Sequence, residues 1–207
     1  MNGPVIAIDG PAGAGKSTVA RALADALGWT FLDTGAMYRA LTCEALVRGF
    51  DLTDERALGE LAESVTITTW PRVCVDGRDV DDMIRTDRVN QAVSVVAANP
   101  QVRRIMVVRQ RALAAEQPVG SVVEGRDIAT VVFPEATLKI FLTATLAERA
   151  ERRGEEGVES VARRDDADSS REVSPLRQDR DARVVDTTGR SVEEVVKEII
   201  ECLPHPP

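Results

Sequence analysis

Gly10-Pro11-Ala12-Gly13-Ala14-Gly15-Lys16-Ser17 fits the phosphate-loop pattern G-x-x-x-x-G-K-[ST] with every required residue present. Its flanks agree. Val5-Ile6-Ala7-Ile8 is a short apolar run of the kind a buried parallel strand uses. Behind the motif, Val19, Ala22, Leu23, Ala26 and Leu27 recur at helical spacing. A strand that turns through glycines into a helix aims backbone N–H groups and the positive helix end at one point, where a polyphosphate sits. Gly10, Pro11, Ala12, Gly13, Ala14, Gly15, Lys16, Ser17 and Thr18 are therefore the candidate triphosphate-binding residues. Lys16 would reach the outer phosphates, and the Ser17 hydroxyl would hold Mg²⁺.

Composition bounds the rest. The chain has 207 residues, enough for one α/β domain with a small insert. Its formal net charge of −8 argues against a general binder of nucleic acid or membrane surface. A local basic pocket for an anion is still compatible with it. Cys43, Cys74 and Cys202 are odd in number and lack zinc spacing, so they are expected as reduced thiols of a cytoplasmic protein. A strand is expected almost at once after Met1, so no signal peptide is expected, and no apolar run approaches membrane-spanning length. The single histidine, His205, lies in a Pro-rich tail, so chemistry by an imidazole base is not expected.

Along the chain, strands are expected at Thr30–Leu32, Val119–Val123, Leu138–Leu142 and Arg183–Asp186, with helices at about Met37–Arg48, Asp54–Ser64 and Pro100–Gln117. Asn99-Pro100 is a capping start, and Thr145-x-x-Glu148 and Ser191-x-x-Glu194 are capping boxes. Val65 to Val80 is β-prone with an Asp76-Gly77 turn signal and is expected as a small β insert. From Arg149 to Arg183 the chain is charged and poor in apolar residues, which by composition alone is a mobile surface segment. Strands alternating with helices give a P-loop NTPase-type α/β fold, a five-stranded parallel sheet with helices on both faces.

Ligands of such sheets sit beyond the carboxyl ends of the strands. Polar clusters stand there: Gly10 to Ser17, then Asp33-Thr34-Gly35, then Gly125-Arg126-Asp127. Arg149, Arg152, Arg153, Arg163, Arg164 and Arg171 form an arginine-rich stretch suited to a phosphoryl-transfer lid, each with a solvated surface as its plain alternative. With no histidine base, an acceptor that needs none is the simpler choice. A nucleoside monophosphate has a second phosphate pKa of about 6 and is largely dianionic at neutral pH. Asp33 stays open as a base for an alcohol acceptor.

The blocks Ile8 to Ser17, Leu32-Asp33-Thr34-Gly35-Ala36-Met37-Tyr38-Arg39, Val123 to Pro134 and Arg164 to Arg171 resemble bacterial cytidylate kinase. The resemblance runs from Val5 to about Ile200. It implies one P-loop kinase domain over residues 1–207, with a monophosphate-side β insert at 65–90 and a lid at 149–171. It also implies ATP-dependent phosphorylation of CMP and dCMP with Mg²⁺, by a cytoplasmic monomer without nucleic-acid or membrane partners. Asp127 would accept from the cytosine amine, with Arg103, Arg171 and Thr34 completing the base pocket. Ser94, Arg164 and Asp168 would face the ribose, and Arg39 and Arg126 would hold the acceptor phosphate. Lys16, Arg126, Arg149 and Arg153 form the implied catalytic set. Ala129 departs from the family's usual glycine, which bears on the loop after Asp127. Asp127 and Asp168 also have plain alternatives, as a turn cap and as the partner of a lid arginine.

Overall fold

The computed structural model describes residues 3–154 and 157–203; Glu155, Glu156 of the expected lid and the tail with His205 lie outside the described residues. The chain divides into two compact units, Met1–Leu32 with Ala114–Pro207, and Asp33–Leu113.

In the larger unit, β1 (Val5–Asp9) leads into α1 (Lys16–Leu27) and then β2 (Thr30–Asp33). β6 (Ser121–Glu124), β7 (Leu138–Thr143) and β8 (Arg183–Asp186) complete a five-stranded parallel sheet of order β2-β6-β1-β7-β8. Ile6 pairs with Val122 on one side of β1 and with Leu138 on the other. The central strands are covered on both faces, so their sequences run apolar without alternation. α1 and α8 (Val192–Glu201) pack on this sheet through Val19, Leu23, Val195, Val196 and Ile199, which join Ile6, Ile8, Val122, Ile140 and Leu142 in one core cluster. Each such side chain contributes about 1.5–3 kcal/mol of burial. On α8, Ile200 lies on the exposed side.

The two capping boxes come out differently. Ser191 and Glu194 cap each other reciprocally at the start of α8. At α6 (Leu146–Glu151), Thr145 Oγ1 accepts from Glu148 N, but the Thr145 N–H goes to Thr188 Oγ1 and the Glu148 carboxylate accepts from Gly189 N. Only half of that box forms, because the loop after β8 supplies better placed partners for the other half.

The charged stretch also differs from its composition. Residues Gly157–Ser169 form α7, and Val161 is fully buried against Ala12 and Ala150. Arg149 and Asp168 are buried too. Three buried apolar residues, Ala150, Val161 and Leu176, and a set of internal ion pairs anchor what would otherwise be a solvated face.

In the smaller unit, α2 (Thr34–Val47) packs with α3 (Glu55–Ser64) and α4 (Asp87–Ala98). Asn99 Oδ1 accepts from Gln101 N and Val102 N, capping α5 (Pro100–Ala115) as its sequence implies. The β insert is a three-stranded antiparallel ribbon of β3 (Ile67–Thr68), β4 (Cys74–Val75) and β5 (Arg78–Asp79). Asp76 and Gly77 both adopt positive φ, 50° and 78°, the requirement of a two-residue hairpin turn. Its strands end at Asp79, and residues 87–90 belong to α4. Among the described residues no helix is long and apolar enough to cross a membrane.

Candidate active site

The phosphate loop lies between the last residue of β1 and the first of α1. Gly13 and Gly15 have φ of 77° and 86°, so consecutive peptides turn back on themselves ahead of the helix. That reversal brings their N–H groups toward the N-terminus of α1. Gly13 has a second reason to be glycine: a Cβ there would lie 2.5 Å from the Arg149 carbonyl oxygen and 2.9 Å from Arg149 Cβ. Gly13→Ala is therefore expected to strain the loop and lower kcat/KM for the triphosphate about 100-fold, the scale of a misplaced reacting group. Gly28→Ala is the control, because its φ is 66° but nothing lies within 4 Å of the added carbon. It should cost only about 1 kcal/mol of stability and leave turnover intact. Steady-state kinetics and thermal melts of both variants check this; equal kinetic losses would remove the special role of Gly13.

Lys16 is buried and its Nζ donates to Pro11 O at 2.9 Å. Burial, and then repulsion from the Arg126 guanidinium, push its ammonium down to about 7 against the pull of Glu124, Asp168 and Asp9. Two cations held together in a low-dielectric site are relieved by an arriving polyanion. Beside them, Ser17 Oγ donates to Glu124 Oε1 at 2.6 Å, and Glu124 is itself buried at the end of β6. A hydroxyl and a carboxylate at hydrogen-bond distance beside a phosphate loop suit Mg²⁺, which takes one or two protein oxygens and completes its shell with phosphate and water. Glu124 carries no motif that marks it for this; only the register of β6 against β1, Ile8 opposite Glu124, brings it to Ser17. Thr18, the last residue of the candidate set, is exposed.

Arg126 joins two parts of the site. Its Nη1 donates to Gly10 O at 2.8 Å and its Nε to Asp168 Oδ2 at 2.6 Å. Asp168 is also paired with Arg171. Burial raises the Asp168 carboxyl, but Arg126 and Arg171 outweigh it and hold the group below the usual carboxylate range. The ion pairing expected as the plain alternative for Asp168 is thus real. Asp127 is buried and stands just before a π-helical turn, Ile128–Val132, yet its side chain makes no capping bond to that turn. Asp9 does so instead, accepting from Ile128 N and Ala129 N, both at 2.8 Å. Ala129 has no positive φ, so alanine is accommodated there without backbone strain.

Arg149 holds the phosphate loop from behind. Its Nη1 donates to Ala12 O at 3.1 Å, its Nε donates to Ala144 O at 3.1 Å, and it is ion-paired with Asp165. Asp165 in turn accepts from Ala12 N at 3.1 Å, so one residue of α7 grips both the loop and its arginine. Arg152 reaches Thr187 through Oγ1 and O, both at 2.8 Å, while the buried Thr187 hydroxyl donates to Ala14 O at 3.1 Å. Asp165, Thr187, Glu124 and Asp9 are further candidates to which the sequence assigns no role, because each bonds a partner more than a hundred residues away. Arg153 and Arg164 are half-buried, and the Arg153 N–H donates to Ala150 O at 3.1 Å.

The smaller unit carries the remaining candidates. Thr34 is buried at the start of α2, where Asp33 caps the helix by accepting from Ala36 N at 2.8 Å. Arg39 donates to Asn90 Oδ1 at 2.5 Å. Buried Arg103 donates to Ala97 O at 3.0 Å and lies 5.5 Å from the centre of the Tyr38 ring. Ser94, on α4, is half-buried.

A family described as cytidylate kinase matches residues 6–205. The cytidylate kinase of Geobacillus kaustophilus (strain HTA426) is 51% identical over 95% of this chain and 94% of its own length. That of Bacillus subtilis (strain 168) is 47% identical over 96% and 95%. A solved structure from Thermus thermophilus superposes with a TM-score of 0.51 at 26% identity, covering 99% of this chain and all of the other. With a match from β1 through α8 and the phosphate loop in place, the chain belongs to the cytidylate kinase family.

Proposed function

We propose that the protein transfers the γ-phosphoryl group of ATP to CMP and dCMP, giving CDP and dCDP. The observation that carries this is the pair of cations, buried Lys16 and half-buried Arg126, beside a glycine-turned phosphate loop. A site that holds its lysine near neutrality by desolvation and like charge gains most from a ligand that neutralises both groups. Phosphoryl transfer asks mainly for positioning and charge neutralisation, and these residues supply both.

In this reading Lys16 lies along the β and γ phosphates, and residues Gly10 to Thr18 cradle them through backbone N–H groups. Ser17 and Glu124 would hold Mg²⁺, which would offset phosphate charge during the transfer. Arg126 and Arg39 hold the acceptor phosphate, whose dianion attacks without a protein base. Arg149 and Arg153 serve the transferring phosphoryl, and for Arg149 this requires release from Asp165. Asp127, Thr34, Arg103 and Arg171 recognise the base, while Ser94, Arg164 and Asp168 face the ribose. Asp127 favours CMP because a carboxylate accepts from an exocyclic amine and meets only another acceptor in uracil.

A coupled assay with ATP and a panel of CMP, dCMP, UMP, AMP and shikimate tests the proposal. Turnover is expected with CMP and dCMP, with kcat/KM for UMP at least roughly 100-fold lower, the discrimination of a site built around one hydrogen-bond donor. ATP binding without turnover on any acceptor, or turnover on shikimate, would overturn it.

A further inference from the structure

We propose that Asp9 is a positioning residue for base selection, tying the strand that carries the phosphate loop to the first two amides after Asp127. The inference rests on the proposed reading of Asp127 as the group that meets the cytosine amine. The two ends of the tie are fixed differently. Asp9 is the last residue of β1, its backbone set by pairing with Phe141 of β7. At the next residue, Gly10, a Cβ would lie 2.2 Å from the Leu142 carbonyl oxygen, so β7 closely flanks the chain where it leaves Asp9. Its carboxylate is buried, and each oxygen takes one amide, Ile128 N on Oδ1 and Ala129 N on Oδ2, both at 2.8 Å.

Those amides open a turn of five residues closed by unusually long-range bonds, Val132 N to Asp127 O and Phe133 N to Ile128 O. The first N–H groups of any helix lack partners within it. They are usually satisfied by the side chain of the preceding residue. Here that residue is Asp127, which makes no such bond, and Asp9 does the capping from another strand. Capping from outside fixes the peptide on which Asp127 stands. Only a carboxylate fits. An asparagine has one acceptor oxygen and cannot take both amides on separate atoms. The arrangement has a cost: burial, partly offset by the two amides, pushes the Asp9 carboxyl up to about 6, with Asp127 adding repulsion and Lys16 opposing it.

The test compares kcat/KM for CMP and UMP in wild type, Asp9→Asn, Asp127→Asn and the double variant. In Asp9→Asn the CMP-to-UMP ratio should fall on the order of tenfold, the scale of one weakened bond to a charged group. The double variant should lose no more selectivity than Asp127→Asn alone, because Asp9 acts through Asp127. If Asp127→Asn collapses the ratio while Asp9→Asn lowers both substrates equally, Asp9 is only a structural cap and the inference fails. If Asp127→Asn leaves the ratio unchanged, the reading of Asp127 fails first and the inference with it. Should Asp9→Asn not fold, hydrogen exchange of the wild-type protein decides. Ile128 and Ala129 amides as slow as those of β1 before any nucleotide is added agree with pre-positioning, whereas amides that slow only with CMP overturn it.

Discussion

Replacing Lys16 by methionine is expected to abolish activity and raise the melting temperature at the same time. Activity would fall because, in the proposed mechanism, the ammonium stabilises charge on the transferring phosphoryl, and losing one such donor costs roughly 10³-fold in kcat. Stability rises because the folded protein holds this ammonium at a disadvantage. Its pKa is lowered to about 7 by burial and by Arg126, against about 10.4 in an unfolded chain. Between those values the unfolded chain binds more protons, so the penalty is full at pH 7 and below and fades as pH approaches 10. Lys16→Met removes it. A gain of about 1 kcal/mol corresponds to ~2–4 °C for a chain of this size. Loss of the bond to Pro11 O offsets part of the gain. Coupled assays with CMP, and thermal melts at pH 6.5 and pH 9.5, check both halves. Near-normal turnover would remove Lys16 from the mechanism, and a Tm gain that grows with pH would contradict the electrostatic account.

Asp127→Asn is expected to lower kcat/KM for CMP by about 2–4 kcal/mol, the scale of losing a bond to a charged group while its partner stays buried. The amide oxygen still accepts, but without charge assistance. UMP should lose far less, because its carbonyl gains nothing from the carboxylate and can take a bond from the new amide donor. Asp127 is buried and makes no cap to its own turn, so the substitution leaves the Asp9 bonds in place. Equal losses for the two nucleotides would show that Asp127 positions the loop rather than reads the base.

Several parts of this protein are legible because their physics is local. The phosphate loop, the Asn99 cap, the Asp76-Gly77 turn and the Ser191–Glu194 box each need only residues a few positions apart. The failures have the opposite cause, contacts between residues far apart along the chain. Residues 87–98 carry no element in the sequence-based expectation, yet form α4. Their Asn, Ser and β-branched residues are weak helix formers, and the helix forms because Val89 and Val96 are buried. Thr145–Glu148 looks like a full box, but Gly189 and Thr188 claim half of it. Arg149 to Arg171 looks solvated, since no pattern shows that Val161 meets Ala12 or that Asp165 meets the Ala12 amide.

By itself the sequence determined the α/β class, the phosphate loop and the family, since a strand–glycine–helix signal and contiguous blocks survive being read in one dimension. Only the tertiary structure decided which buried carboxylates serve the site. Glu124 meets Ser17 through the register of β6 on β1, and Asp9 reaches Ile128 and Ala129 across the same pair of strands. The reason is that a carboxylate becomes a site residue by where desolvation and long-range pairing put it, and neither is a property of its neighbours along the chain.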